Sequence, residues 1–224
     1  MYVSIESEHP YGTDANLPIS VALLKARMRI SVATEDALIK EYIKSATMII
    51  EKYIRRTIVE TNHILTIDQV RGELNTVNTF LGSRAVIYLG NPPVLDVDSL
   101  IFYTDDGTAS EVSSADFYVD KKQGRILPIG GYTWQSSQRT INAVQVSYTS
   151  GLVELGDVES IDPSLVTAIA QFATQLYESR GGECELPKGT KQILNQFKLV
   201  RVGKPFMGIS FNETVIRSGS IGGY

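Results

Sequence analysis

The chain has 224 residues, 43% of them hydrophobic, with a formal charge of -4, two histidines and one cysteine. At that length a chain buries about 70% of the surface its unfolded form exposes, so no disulfide or structural metal is needed to hold a core. The acidic balance argues against a general nucleic-acid coat, because phosphate binding is driven by clustered Lys and Arg. Cys184 stands alone, which excludes an internal disulfide and a cysteine-based zinc site and fits a reducing compartment. No apolar run approaches the roughly 18 to 20 residues of a membrane span. The opening MYVSIESEHPYGTD lacks the basic start and apolar centre of a signal peptide, so the protein is expected to be cytosolic when made.

Residues 1–17 are polar and interrupted by Pro10 and Gly12, and they read as an extended N-terminal arm. Ser20 then offers a cap to a short helix over 20–30, with Val21, Leu24 and Met28 on one face and Lys25, Arg27 and Arg29 towards its C-terminal end. Thr34 is the expected cap of the strongest element, a helix over 35–56 whose Glu35 and Asp36 face the positive end of its dipole. Leu38, Ile39, Tyr42, Ile43, Ala46, Ile49, Ile50 and Tyr53 recur at spacings of three and four, giving one apolar stripe along about 30 Å.

Beyond Thr57 the residues turn β-branched and aromatic, and strands are expected over 63–67, 85–89, 94–103, 117–120, 124–127 and 143–149. Asp106-Gly107 marks a hairpin after Ser99–Tyr103, and Lys122-Gln123-Gly124 marks a second turn, so the region is expected to be antiparallel and mostly local in its pairing. Asp162-Pro163 is a cap followed by proline at the first helical position, opening a helix over 163–180 that stops at Gly181-Gly182. A shorter helix over 190–200 carries Ile193, Leu194 and Phe197. The order is α+β: a bundle of about four helices, two N-terminal and two C-terminal, with a central antiparallel β-hairpin region over 60–150. The domain spans 18–203, between arms at 1–17 and 204–224, the second ending in a glycine- and serine-rich stretch.

Six stretches in this order resemble the head-tail connector (adaptor, or head completion) proteins of tailed bacteriophages. They are LLKARMRI followed by TEDALIKEYIKSATMIIEKYIRRTI, with Glu51, Tyr53, Arg55 and Arg56 closing the long helix; LGNPPVLDVDSLIFYTDDGT; FYVD; RILPIGGYTW; VQVSYTSGL; and LYESRGG. The resemblance covers residues 19–182. The chain departs from the family pattern at Trp134, which Gln135 follows where proline is common, and in extra length at 69–82 and 154–161. The resemblance implies a structural virion protein and not an enzyme. It implies a cyclic homo-oligomer, commonly twelve-fold, seated at the neck between the portal protein and a stopper or tail terminator protein. DNA passes through such a ring without specific binding, no cofactor is used, and assembly takes place in the host cytoplasm with no membrane. Another neck or tail structural protein is the nearest alternative, and a hydrolase or ligand-binding α+β domain the more distant one.

Residues with a chemical reading do not converge. Asp105-Asp106-Gly107 begins like a calcium loop, but the alternate oxygen ligands and distant glutamate are missing, so a hairpin turn is favoured. His9 and His63 each lack a His or Cys at metal-ligand spacing, Cys184 has no histidine in its segment, and Ser136 and Ser137 lie outside any G-x-S-x-G pattern. No catalytic, metal or cofactor residues are therefore assigned. Arg55 and Arg56 either complement the dipole at a helix C-terminus, the favoured reading, or contact DNA in the channel. Tyr42 and Tyr53 suit core packing and an interface equally. In the 204–224 arm, Phe206, Met207, Ile209, Phe211, Val215 and Ile216 are too few for a core but enough to fill pockets on the portal or another neck protein; folding back as an edge strand is the alternative.

Overall fold

Ser20 opens the first helix as its sequence implies: its side chain accepts from the Leu23 amide at 3.2 Å, and α1 runs Val21–Met28 before Arg29 turns left-handed at φ 58°. The structure, a computed structural model, describes residues 3–12, 14–68, 86–132, 134, 141–180 and 184–200. A 3-10 turn at Ala33–Glu35 leads into α2, Asp36–Ile54. Thr34 lies inside that turn, so the capping position falls to Glu35, whose side chain makes no capping bond. The expected Thr34 cap is corrected on this point: the tight turn moves the start of α2 by one residue. Asp162 does cap α3, Pro163–Ser179, accepting from the Ser164 amide at 2.8 Å with proline in the first turn. The last helix, α4, spans Lys188–Asn195 and not 190–200. Gly181 and Gly182 lie outside the described residues.

Among the described residues eight strands lie in two antiparallel sheets. They are β1 Val3–Glu8, β2 Thr61–Ile67, β3 Ile87–Tyr88, β4 Val94–Tyr103, β5 Ala109–Glu111, β6 Phe117–Asp120, β7 Arg125–Pro128 and β8 Val144–Ser150. The larger sheet has the order β1-β2-β8-β4-β5 and the smaller one β3-β7-β6. The fold is mixed α+β with four helices among the described residues. Pairing is less local than the turn signals suggest. β8 sits at the centre of the larger sheet between β2 and β4, with His63 opposite Tyr148 and Leu100 opposite Val146. Val144, Val146, Tyr148 and Ser150 are buried along one face of β8, and pairing with β2 and β4 satisfies its backbone on both edges.

The expected N-terminal arm is also corrected. β1 pairs along its whole length with β2, from Val3 opposite Ile67 to Glu8 opposite Asn62, and Tyr11, Leu17 and Ile19 are buried in the core. The strand signal, VSIESE, is a period-two pattern too short to stand out beside Pro10. Two apolar clusters result. One lies among the four helices and takes in Tyr11, Leu17, Ile58 and Ile161; the other lies between the sheets around Leu65, Leu100, Phe102, Val146 and Tyr148.

Candidate functional site

The most unusual chemistry lies where helices and sheet meet. α2 ends at Arg55 in the left-handed region (φ 58°), which turns the chain into Thr57–Thr61 and brings the last helical turn against the segment after β1. There Glu51 is 7% exposed, and its Oε1 accepts from the Tyr11 hydroxyl at 2.8 Å and the Ile58 amide at 2.7 Å. Its Oε2 has no hydrogen-bond partner, and His9 Nδ1 lies 3.9 Å from it. Burial pushes the Glu51 carboxyl up to about 7, against the two hydrogen bonds, which act the other way. The same burial raises the Tyr11 phenol and lowers His9.

A second buried group continues the seam. His63 Nε2 lies 2.8 Å from Ser150 Oγ and 3.3 Å from Thr57 Oγ1, its Nδ1 lies 2.8 Å from Ser7 Oγ, and its ring stacks on Tyr148 at 5.0 Å. Desolvation, with a smaller repulsion from His9, holds it down to about 4. A serine beside an imidazole invites a nucleophilic reading, but three features oppose it. Ser150 and His63 are 0% and 1% exposed, so no substrate reaches the hydroxyl. The far ring nitrogen meets a hydroxyl, not the carboxylate that orients a catalytic histidine. Thr57 also competes for the same hydroxyl, at 3.1 Å. The arrangement satisfies buried polar groups and stitches β1, β2, β8 and the 57–61 turn together. No motif could have found it, because Ser150 is 87 residues from His63.

The other singled-out residues are dispersed. Asp106 Oδ1 accepts from the Thr108 amide at 2.9 Å and from the Thr104 hydroxyl, Gly107 takes φ 85°, and the loop is the β4–β5 hairpin turn. Those hydrogen bonds, led by Thr104, lower the Asp106 carboxyl. Among the described residues no three His, Cys, Asp or Glu side chains group to hold a metal, and no helix is long and apolar enough to cross a membrane. Cys184 is free, half-buried and packed on the helical cluster. Arg55 is exposed, whereas Arg56 is half-buried with its Nε enclosed and without a hydrogen bond. Tyr42 packs edge-on against Tyr177, and Tyr53 bonds Asn195 at 2.9 Å beneath Lys198, so both close helix seams. Ser136, Ser137, Phe206, Met207, Ile209, Phe211, Val215 and Ile216 lie outside the described residues.

What the chain presents outward is apolar surface. Leu38 and Ile49, members of the expected α2 stripe, are 48% and 42% exposed, and Met48 beside them is 45% exposed. After β8, Leu152 and Leu155 are also exposed.

Residues 18–77 match the family of phage gp6-like head-tail connector proteins. No match is found among curated proteins. Three solved structures share the fold. A chain from "Neck of empty GTA particle computed with C6 symmetry" aligns with a TM-score of 0.67 at 20% identity, covering 90% of this chain and 97% of that one. One from "Virion of native gene transfer agent (GTA) particle" gives 0.67 at 19%, covering 92% and 100%. One from "Neck of native GTA particle computed with C12 symmetry" gives 0.66 at 21%, covering 90% and 97%. The family match covers residues 18–77, and the solved structures show the same fold over about nine-tenths of the chain.

Proposed function

We propose that this chain is a ring-forming neck component of a tailed particle, placed between the portal and the next neck or tail-terminator protein, through which DNA passes. The observation that carries the reading is the coincidence of two independent likenesses. The connector-family match covers residues 18–77, which include α1 and α2, and the fold of neck chains extends over nine-tenths of this one. The C6 and C12 symmetries belong to those particles and support a cyclic oligomer here. A twelve-fold ring is the stoichiometry proposed. Purified protein mixed with its portal should give a closed cyclic oligomer by native mass spectrometry. One copy per portal ring, persisting at saturating protein, would contradict the proposal.

The 204–224 segment is proposed to dock on the portal through Phe206, Met207, Ile209, Phe211, Val215 and Ile216. Ordering such a segment loses about 1 to 2 kcal/mol of backbone entropy per residue, so the two phenylalanines must supply large apolar contacts. Removing 204–224 should leave the melting temperature unchanged and abolish attachment to the portal. Retained attachment, or an unfolded product, assigns the segment to the domain itself. Arg55 is the C-cap of α2, at the negative end of the helix dipole, the reading favoured for this arginine pair.

A further inference from the structure

α2 carries more apolar surface than its own domain covers. Ile39, Ile43, Ala46, Ile50 and Ile54 are fully buried, yet Leu38, Met48 and Ile49 remain on the outward side, spread over about 16 Å of helix. The charges on this side are mainly basic: Lys52 and Arg55 are exposed, and Lys44 bonds Glu41 at 3.0 Å, neutralising the one nearby acid. A second apolar feature has the opposite rim. Leu152 and Leu155, 37% and 50% exposed, sit in the segment joining β8 to α3 among the exposed Glu154, Asp157, Glu159 and Asp162. Among the described residues none of these four acids pairs with a Lys or Arg; Asp157 takes the Ser160 hydroxyl and Asp162 caps α3.

We propose that the outward strip of α2 in one copy receives the 152–162 segment of the neighbouring copy, apolar against apolar and basic rim against acidic rim. The inference rests on the ring reading and names its contact. A ring of more than two subunits needs a head-to-tail interface, with two different and complementary patches on each copy. Pairing α2 with α2 fails that requirement and sets the Lys52 rims against each other. The knob is also preformed: the Leu152 amide bonds the Thr57 and Ile58 carbonyls at 3.1 and 3.0 Å, and the Leu155 amide bonds Glu60 Oε2 at 3.0 Å. Little ordering is therefore lost on docking. The exposed parts of five large apolar side chains suit the centre of an interface of about 800 Å² per partner, with the charges as its rim.

The test is a charge swap in the full chain, read by native mass spectrometry of the assembly with the portal and by melting temperature. Lys44→Glu with Lys52→Glu, or Glu154→Lys with Glu159→Lys, should each lower the yield of closed rings by at least about tenfold while the melt stays in place. All four together should restore the yield to within about threefold. Leu155→Gln gives a charge-independent variant and should also lower ring yield. Rings that persist in both reversed variants, or a swap that restores nothing, overturn this contact and leave the ring reading intact. A wild-type chain that forms no ring overturns both.

Discussion

Glu51 and His63 hold opposite protonation anomalies within one seam, and their effects on stability oppose each other. The raised Glu51 carboxyl favours the folded state with its full effect below about 4.5, an effect lost as pH rises through about 7. The depressed His63 contributes stability that is present above about 6.5 and lost as pH falls towards about 4. Between those limits the folded chain keeps one proton on Glu51, while the unfolded chain keeps one on the imidazole. Each shift alone amounts to on the order of 3 kcal/mol, and together they nearly cancel. Thermal melts of the wild type from pH 4.5 to 8 should therefore show little dependence from this pair. Glu51→Gln retains an acceptor for Tyr11 and Ile58 and leaves His63 uncompensated, so its melting temperature should fall as pH drops from about 6.5 to 4. His63→Gln should show the reverse slope, losing stability as pH rises through about 7. Parallel profiles in all three proteins would remove the seam from the pH response. At this scale the sequence supplies the residue types but not the pairing. His63 is recognisable as a strand residue, yet Ser7, Thr57 and Ser150 reach it from 56, 6 and 87 residues away.

Elements with strong local signals are legible, and those fixed by long-range contact are not. β4 and β6 match their expected bounds because a buried alternation and a turn define each end. α3 is set by Asp162 and Pro163. β1 was concealed because two apolar residues in a polar stretch make no period unless β2 stands beside them. The α2 stripe is legible in full, but which of its members stay exposed is not: Leu38 and Ile39 are adjacent in sequence, and only packing separates them. The sharpest element-scale prediction concerns Gly151, where β8 ends. A Cβ there would lie 2.6 Å from the Glu60 amide nitrogen and 2.7 Å from its Cα, beside the Glu60 to Val153 bond at 2.9 Å. Backbone cannot yield as a side chain does, so Gly151→Ala should cost about 2 to 4 kcal/mol in denaturant unfolding. Gly107→Ala meets no neighbouring atom and should cost only the strain of its φ of 85°, about 1 kcal/mol. Equal losses at the two sites would show that the β8 crossing is not tightly packed.

For the whole molecule, the buried polar seam and the exposed apolar residues of α2 and the 152–155 segment are the features that the proposed assembly role draws on. Charge adds to this: -4 per chain becomes about -48 over a proposed ring of twelve. A channel lined by that net charge would repel phosphate and let duplex slide, because tight contacts to Lys and Arg are what retain DNA. Duplex DNA should therefore show no salt-sensitive retention on the assembled ring. The family resemblance was available in the sequence because connector features follow one another in order from residue 19, whereas ring contacts were not, since they join patches from different copies. The claim that this chain joins head to tail is tested most directly by electron microscopy of particles produced without it. The account predicts DNA-filled or emptied heads and complete tails that stay separate, with joining restored when the full chain is added back; intact tailed particles in its absence would contradict it.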